Sequence, residues 1–304
     1  MKKITAVVVT YNRCEFLRKC LQQLLAQTYP CNILVVDNAS EDDTKCVLEE
    51  FESPGLQVLR LEKNLGGAGG FHVGIKQAVK DGCEYVWVMD DDTLPEPDAL
   101  EQLMRADENL KGEYGFLSSV VQWTDGTACR MNCQKIAKPY FRQIHRLAEG
   151  MILVEYASFV SLLFRRETVL QAGLPIKEYF IWGDDIEYTT RITSVLKMDS
   201  YLVGKSLVTH AMKANTGSNI AIDTLDRLPR YAYAFRNEAC TARRRGGYEV
   251  FRYFGRCGKL FFMILFKASG HRLRRLYYLF SGMLKGCFFC PRIEYIELYK
   301  DGGK

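Results

Sequence analysis

The residues best suited to chemistry fall into three groups. Asp90-Asp91-Asp92 closes an apolar run. Adjacent carboxylates repel one another unless a cation neutralises them, and hard oxygen ligands of this kind suit Mg2+ or Mn2+ bridging a diphosphate. The same triplet would also serve as a solvated acidic turn, or as a cap for the helix announced by Thr93 and Pro95. In Trp182-Gly183-Asp184-Asp185-Ile186-Glu187 two carboxylates precede a helix. One can cap it while the other acts as a general base, or both can simply cap it and favour its dipole. The third group, Asn64-Leu65-Gly66-Gly67-Ala68-Gly69-Gly70, has neither the GxGxxG register nor the Lys-Ser/Thr ending of a phosphate loop. Its glycines allow close approach to a ligand, and equally allow a tight turn. Trp123 and Trp182 could stack on a flat ligand face or fill the core. His72 could approach a ligand from the glycine run or sit in a helix's first turn. Cys287 and Cys290 have CxxC spacing without a second pair, and Cys129 and Cys133 are likewise unsupported as a metal or redox site.

These groups need elements to position them. Ile4–Thr10 is the β-branched run of a parallel strand buried on both faces. An amphipathic helix over Glu15–Gln27 follows, then a strand at Ile33–Val36 ending on Asp37. Ser40 or Asp42 can cap a helix running through Phe51. Gln57–Leu61 reads as a third strand, Phe71–Asp81 as a helix after the glycine run, and Tyr85–Met89 as a fourth strand. Strand and helix alternate, with polar residues at each strand's carboxyl end. That pattern is the doubly wound α/β sheet, whose ligands bind beyond those ends. It brings Asp37, Asn64 and Asp90–Asp92 to one site. Later segments predict a helix over Asp98–Ala106, strands at Phe116–Gln122 and Ala157–Phe164, and helices at Arg165–Ala172 and Glu187–Leu196. A strand or hairpin spans Tyr201–Val203 and Leu207–His210, and helices follow from Asp226.

The order Thr10-Tyr11-Asn12-Arg13, Val35-Val36-Asp37-Asn38-Ala39-Ser40, Asn64-Leu65-Gly66-Gly67 and Met89-Asp90-Asp91-Asp92 resembles family 2 glycosyltransferases of the GT-A fold. The resemblance covers roughly residues 3–215. Asn64–Phe71, the Asp triplet, and Trp182–Tyr188 followed by a lone His210 are most similar to the UDP-galactofuranosyltransferases. The resemblance implies a Rossmann-like nucleotide-binding sheet with an acceptor half. It places Thr10, Arg13, Asp37 and Asn64 at the nucleotide's base and ribose, with Gly66, Gly67, Asp91 and Trp182 completing the nucleotide-sugar site. Asp90, Asp92 and His210 would hold Mn2+ or Mg2+ on the diphosphate. Asp185 would be the general base, and Asp184 would orient acceptor or donor sugar. One base without a protein nucleophile implies inversion at the anomeric carbon, with a glycan or lipid-linked glycan as acceptor. The same-class rival is a rhamnosyltransferase using a dTDP-sugar; the rival of another class is a non-catalytic binder of sugar nucleotides or nucleic acid.

The 304 residues are 48% hydrophobic and 25% charged, an ordinary globular composition. The net charge of +5 hides an asymmetry: residues 226–304 hold 17 Lys/Arg against 6 Asp/Glu, and residues 1–225 hold 24 against 30. The sequence therefore divides into a catalytic domain over 1–225 and a helical, basic, aromatic-rich region over 226–304. Arg243-Arg244-Arg245, Arg252, Arg256 and Lys259 alternate there with Phe251, Phe254, Phe262 and Phe266. No nucleic-acid module accompanies them. The pattern fits an interfacial membrane anchor, or a bundle packing its aromatics on the catalytic domain. No run approaches the roughly 20 apolar residues of a membrane span. Met1–Thr5 lacks a cleavable leader pattern, and eleven scattered cysteines suit a reducing compartment. These readings predict a cytoplasmic protein, peripheral on the inner face of the cell membrane.

Overall fold

The computed structural model describes residues 2–297. Met1, and residues 298–304 of the basic region, lie outside the described residues. The first half alternates β1 (Ile4–Thr10), α1 (Cys14–Leu25), β2 (Asn32–Asp37), α2 (Thr44–Glu50), β3 (Leu56–Arg60), α3 (Gly66–Lys80) and β4 (Tyr85–Asp90). After it come β5 (Thr93–Pro95), α4 (Ala99–Asn109), β6 (Phe116–Gln122), β7 (Lys135–Ile136), α5 (His145–Ala148), β8 (Met151–Tyr156), β9 (Leu162–Arg165) and α6 (Arg166–Ala172). The chain continues through α7 (Asp184–Thr190), β10 (Tyr201–His210), α8 (Leu228–Arg245), α9 (Gly247–Lys267) and α10 (Arg272–Phe288).

The sheet order is β3-β2-β1-β4-β9-β6-β10-β8-β7, with β5 paired to β10. The pairs β1–β2, β1–β4 and β2–β3 are parallel, as the alternation requires. Beyond β4 the sheet is mixed, because β9 runs antiparallel to both β4 and β6. Since β10 is parallel to β6, its carboxyl end lies on the same side as that of β4. This geometry brings His210 to the Asp triplet across the β9 insertion.

Every residue of β1 is buried, and its side chains alternate between two cores. Ala6 and Val8 pack with Leu17 and Leu21 of α1 and Leu103 of α4. Val7 and Val9 pack with Phe71 and Ile75 of α3. Burying each Val, Leu, Ile or Phe among them contributes on the order of 2 kcal/mol.

Several local expectations change. The helix expected from Phe71 begins at Gly66, so the glycine run forms its first turns. A Cβ at Gly70 would lie 2.5 Å from Val9 Cγ1, and one at Gly74 would lie 2.5 Å from Val7 Cγ1. These glycines let α3 lie close on β1, which compensates for their poor helix propensity. The strand expected over Ala157–Phe164 is confined to Leu162–Arg165, and an unexpected strand, Met151–Tyr156, precedes it. The Tyr201–His210 segment is one strand, with a register shift between Val203 and Leu207. Ser40 does not cap α2. Its Oγ accepts from Asn12 N, whereas Asp42 Oδ1 accepts from Thr44 N at 3.1 Å.

The C-terminal helices form a third core of Tyr231, Phe235, Tyr253, Ile264 and Leu279, with Trp182 against its edge. The chain then returns to the sheet layer. Leu174 N donates to Glu294 O at 2.8 Å, and the Glu294 carboxylate meets Lys76, Lys177 and His72. His72 is thus a buried brace between α3 and this returning segment, with Nδ1 2.7 Å from Pro175 O, and it does not reach the cleft.

Candidate active site

The carboxyl ends of β4 and β10 face a cleft of about 1140 Å3. This is at the upper end for a small-molecule pocket, roughly 1000 Å3. Arg13, Gly67, Asp90, Asp92, Trp182, Asp184, Asp185 and His210 line it. Thr10, Asp37, Asn64, Gly66 and Asp91 do not, and each has a partner in the protein. Thr10 Oγ1 donates to Asp91 Oδ2 at 2.7 Å, and Asn64 Oδ1 accepts from Gly66 N at 2.7 Å. Asp37 Oδ1 accepts from Ser40 N. Its buried Oδ2 has no hydrogen-bond partner, although Arg60 Nη1 stands 3.3 Å away. Gly66 adopts φ +73°, and a Cβ there would lie 2.0 Å from Phe180 O, so only glycine fits beside that loop.

Asp90, Asp92 and His210 can each offer one ligand atom, all within 4.8 Å of one another. Two carboxylates and an imidazole, mostly buried, are a donor set that suits a divalent cation and stand close enough together to converge on one. The electrostatics agree. Burial, together with Asp92, pushes the Asp90 carboxyl up to about 8. Burial also raises Asp91 to about 7, against the pull of Arg13. Asp92 is the exception. Burial opposes its charge, but His210 and Arg13 prevail and hold it near 2. His210 Nε2 lies 2.9 Å from Asp92 Oδ1, and Arg13 bridges Asp91 at 3.0 Å and Asp92 at 2.6 Å. Arg13, expected on the nucleotide, thus compensates the acidic cluster from the cleft wall.

The second carboxylate pair begins α7. A buried ion pair of Glu187 with Arg191 fixes this helix, and Arg191 Nη1 donates to Ala172 O at 2.6 Å. Asp185 Oδ1 accepts from Ile186 N at 2.7 Å. Burial nevertheless raises its carboxyl to about 6. Burial and the neighbouring Asp185 raise Asp184 well above the usual carboxylate range. A carboxylate in this range accepts a proton more readily than an ordinary surface Asp. The backbone leading into the pair is strained. Phe180 and Trp182 have φ of +64° and +62°, conformations that cost bulky residues of order 1–3 kcal/mol each.

Some positions that build the site show no sign of their role in the sequence. Asn38 accepts from Leu65 N and donates to Gly66 O, fixing the start of α3. Asn132 Oδ1 lies 2.7 Å from His210 Nδ1 and orients the ring. The wall opposite the sheet contains Arg227, Arg230, Tyr231, Arg256, Leu260 and Met263 from the C-terminal region. Neither Asn38 nor Asn132 is distinguishable from a loop asparagine without its partner, although Asn38 does follow Asp37 in a motif. Trp123 stays out of the cleft and donates to Met212 O, bracing the segment after β10. Trp182 lines the cleft edge-on to Tyr231, at 5.1 Å between centroids, with the Arg227 guanidinium over its ring.

Comparison with known proteins agrees with this geometry. The model of glycosyl transferase family 2 matches residues 5–168, more than half of the chain. Galactofuranosyltransferase GlfT1 of Mycolicibacterium smegmatis is 29% identical over 204 residues, covering 62% of this chain and 65% of that one. Its namesake in Mycobacterium tuberculosis is 30% identical over 196 residues, covering 63% and 64%. The matched region therefore spans just under two thirds of these relatives' length. Among solved structures, a mannosyltransferase of Pyrobaculum calidifontis in complex with GDP-Man and Mn2+ superposes with TM-score 0.58 at 16% identity, covering 94% of this chain and 87% of that one. GalNAc-T7 with UDP, GalNAc and Mn2+ gives 0.59 at 15% identity, covering 71% and 44%. At such identities these two likenesses establish the GT-A fold alone.

Proposed function

The chain belongs to glycosyl transferase family 2, and we propose that it transfers galactofuranose from UDP-galactofuranose, with inversion, to a glycan or lipid-linked glycan in surface-polysaccharide assembly. One observation carries this reading. The Asp90–Asp92–His210 cluster and the Asp184–Asp185 pair face the same cleft. The similarity to galactofuranosyltransferases supports the sugar, and the solved relatives with Mn2+ support the cation.

In this reading Asp90, Asp92 and His210 hold Mn2+ or Mg2+. The cation would stabilise the negative charge that builds on the departing nucleoside diphosphate. Gly67, which lines the cleft, lets the backbone approach the nucleotide end, and Asp37, with one oxygen lacking a hydrogen bond, serves that end from behind the lining; Thr10 and Asn64 act there by fixing Asp91 and Gly66. Asp91 steadies Arg13 and Thr10. Trp182 offers its ring to a sugar. Asp185 takes the proton from the acceptor hydroxyl as that oxygen attacks the anomeric carbon, and Asp184 orients the sugars beside it. No protein nucleophile intervenes, so a single displacement inverts the centre.

Residues 1–225 form the catalytic body of this reading, and 226–304 its helical membrane-facing region. No described helix is long and apolar enough to cross a membrane. However, Phe251, Phe262, Phe266, Leu273, Tyr277 and Phe288 stand exposed on α9 and α10 beside Arg252, Lys259, Arg272 and Arg274. Such a face suits anionic lipid, and docking through it would hold the enzyme peripherally at the membrane that carries its acceptor.

The deciding experiment measures thermal stabilisation and nucleotide release with UDP-galactofuranose, UDP-galactose and dTDP-rhamnose, each with and without Mn2+. Stabilisation and turnover should be greatest with UDP-galactofuranose and Mn2+. Preference for dTDP-rhamnose would reassign the donor. Stabilisation by none of the three would remove the catalytic reading.

A further inference from the structure

The strained loop before Asp184 is held from outside the catalytic body. Ile181 N donates to Tyr179 O at 2.7 Å, closing a γ-turn on Phe180, whose φ and ψ are +64° and −62°. This is the rare, strained form of that turn. Trp182 and Gly183 also have positive φ, so three of the four residues preceding Asp184 leave the usual backbone regions. Such a segment persists only where its surroundings over-determine it.

The restraint comes from α8. Asn237 is fully buried. Its Nδ2 donates to Tyr179 O at 2.9 Å, Ile181 O at 3.1 Å and Trp182 O at 2.8 Å. Its Oδ1 accepts from Arg236 Nε and Nη2 at 3.0 and 2.8 Å. Carbonyls on one side and a guanidinium on the other fix which way the amide points. Arg236 Nη2 also reaches Glu178 O at 2.6 Å, and Tyr179 Oη lies 3.0 Å from Thr241 Oγ1, one turn along α8. Gly183 meets the same side chain, because a Cβ there would lie 3.7 Å from Asn237 Cβ.

We propose that Asn237 is a positioning residue: by gathering three carbonyls of the 179–182 turn, it sets the backbone that aims Asp184 and Asp185 into the cleft. The inference rests on the reading that Asp185 is the base, and it gives the helical region a role in turnover besides any contact with membrane. Asn237 touches no reacting group. Its effect passes through the turn, so removing its donors should lower kcat while leaving donor binding in place.

The test compares the full-length chain with Asn237→Asp, which keeps the shape but replaces the amide donors with a carboxylate, and with Asn237→Ala. Thr241→Val and Tyr179→Phe provide milder cuts of the same attachment should Asn237 variants fold poorly. With UDP-galactofuranose and Mn2+, kcat should fall about 100-fold in the Asn237 variants, as expected for a displacement near 1 Å, with donor KM within twofold. The milder pair should lose several-fold. In parallel, amide hydrogen exchange over residues 179–185 should accelerate in every variant, while exchange in β1 and β4 stays unchanged. Unchanged exchange in that turn would overturn the tether whatever the wild-type chain transfers. Accelerated exchange with unchanged kcat would overturn its role in turnover. Absence of wild-type transfer, with the turn loosened in the variants, would instead remove the donor assignment and leave the tether standing.

Discussion

The two walls of the cleft are built by different means. The sheet wall takes its groups from consecutive strand ends: Asp90 and Asp92 after β4, and His210 closing β10, with Arg13 following β1. Each lies where the strand's own alternation and termination put it. The helical wall brings Arg227, Arg230, Arg256, Leu260 and Met263 across from the other end of the sequence, and Asn237 behind them holds the turn before Asp184. The reactive groups of this fold lie in short contiguous motifs. Their aim is set by contacts between residues more than fifty positions apart.

The largest expected effect lies where the walls meet. Asp185→Asn should lower kcat by about 10²–10⁴, the usual contribution of a general base, while binding of UDP-galactofuranose with Mn2+ persists by calorimetry. Near-wild-type turnover would exclude Asp185 as the base and reduce the pair to a helix cap. The pH dependence follows with a defined sign. Burial lifts Asp185 from the model-peptide range near 4 to about 6, and the base works deprotonated. Turnover should therefore fall tenfold per unit below pH 6 and level off above it. In the Asp185→Asn protein that acid limb should vanish from the residual rate. An acid limb near pH 4 in the wild type would mean that the carboxylate is solvated during turnover.

The same contrast explains what could be read from sequence. Strands β1, β2 and β4, the carboxylate groups and His210 were legible because parallel strands buried on both faces require continuous apolar runs, and ligands gather beyond their ends. The start of α3 was not. Five glycines within nine residues argue locally for a loop, and only contact of Gly70 with Val9 and of Gly74 with Val7 explains why a helix needs them. His72 shows the converse. Its place after the glycine run suggested a ligand contact, but its partners are Pro175 and Glu294, far along the chain. Asn132 and Asn237 gave no local sign, because an asparagine declares itself only through the groups it joins.

A third break in the comparison tests the support behind the helical wall. A Cβ at Gly286 of α10 would lie 2.7 Å from Ala239 Cβ and 3.3 Å from the Arg236 backbone. Two close-packed helices have no slack for it, so Gly286→Ala should cost about 1–3 kcal/mol in thermal or denaturant unfolding. It should lower kcat modestly as well, since α8 also carries Asn237. Gly258→Ala on α9, where nothing stands within 4 Å, is the control and should be neutral or slightly stabilising. Equal effects from the two would mean that α10 does not brace α8.

The smallest expected effect concerns the far side of the same helices, where the charge count misleads. Some basic residues there turn inward. Arg275 donates to Ile220 O and Asp223 O, and Arg243 to Phe289 O. These guanidiniums satisfy carbonyls and contribute little to any surface contact. Arg252, Lys259, Arg272 and Arg274 remain exposed around an apolar face that includes Phe262 and Phe266, 59% and 76% exposed with their rings stacked. If that face docks on anionic lipid, the outward residues must matter and the inward ones must act only through folding. Phe262→Ser with Phe266→Ser should weaken flotation with phosphatidylserine vesicles by about tenfold, because each exposed ring can bury only part of its area at an interface. Raising salt from 0.1 to 0.5 M should weaken the wild type in the same direction, since the flanking cations act through a screened field. Transfer to a short water-soluble acceptor should not change in the double variant, because the sheet wall and the Asn237 tether are untouched. Equal flotation of variant and wild type would leave the aromatic face without lipid as its partner.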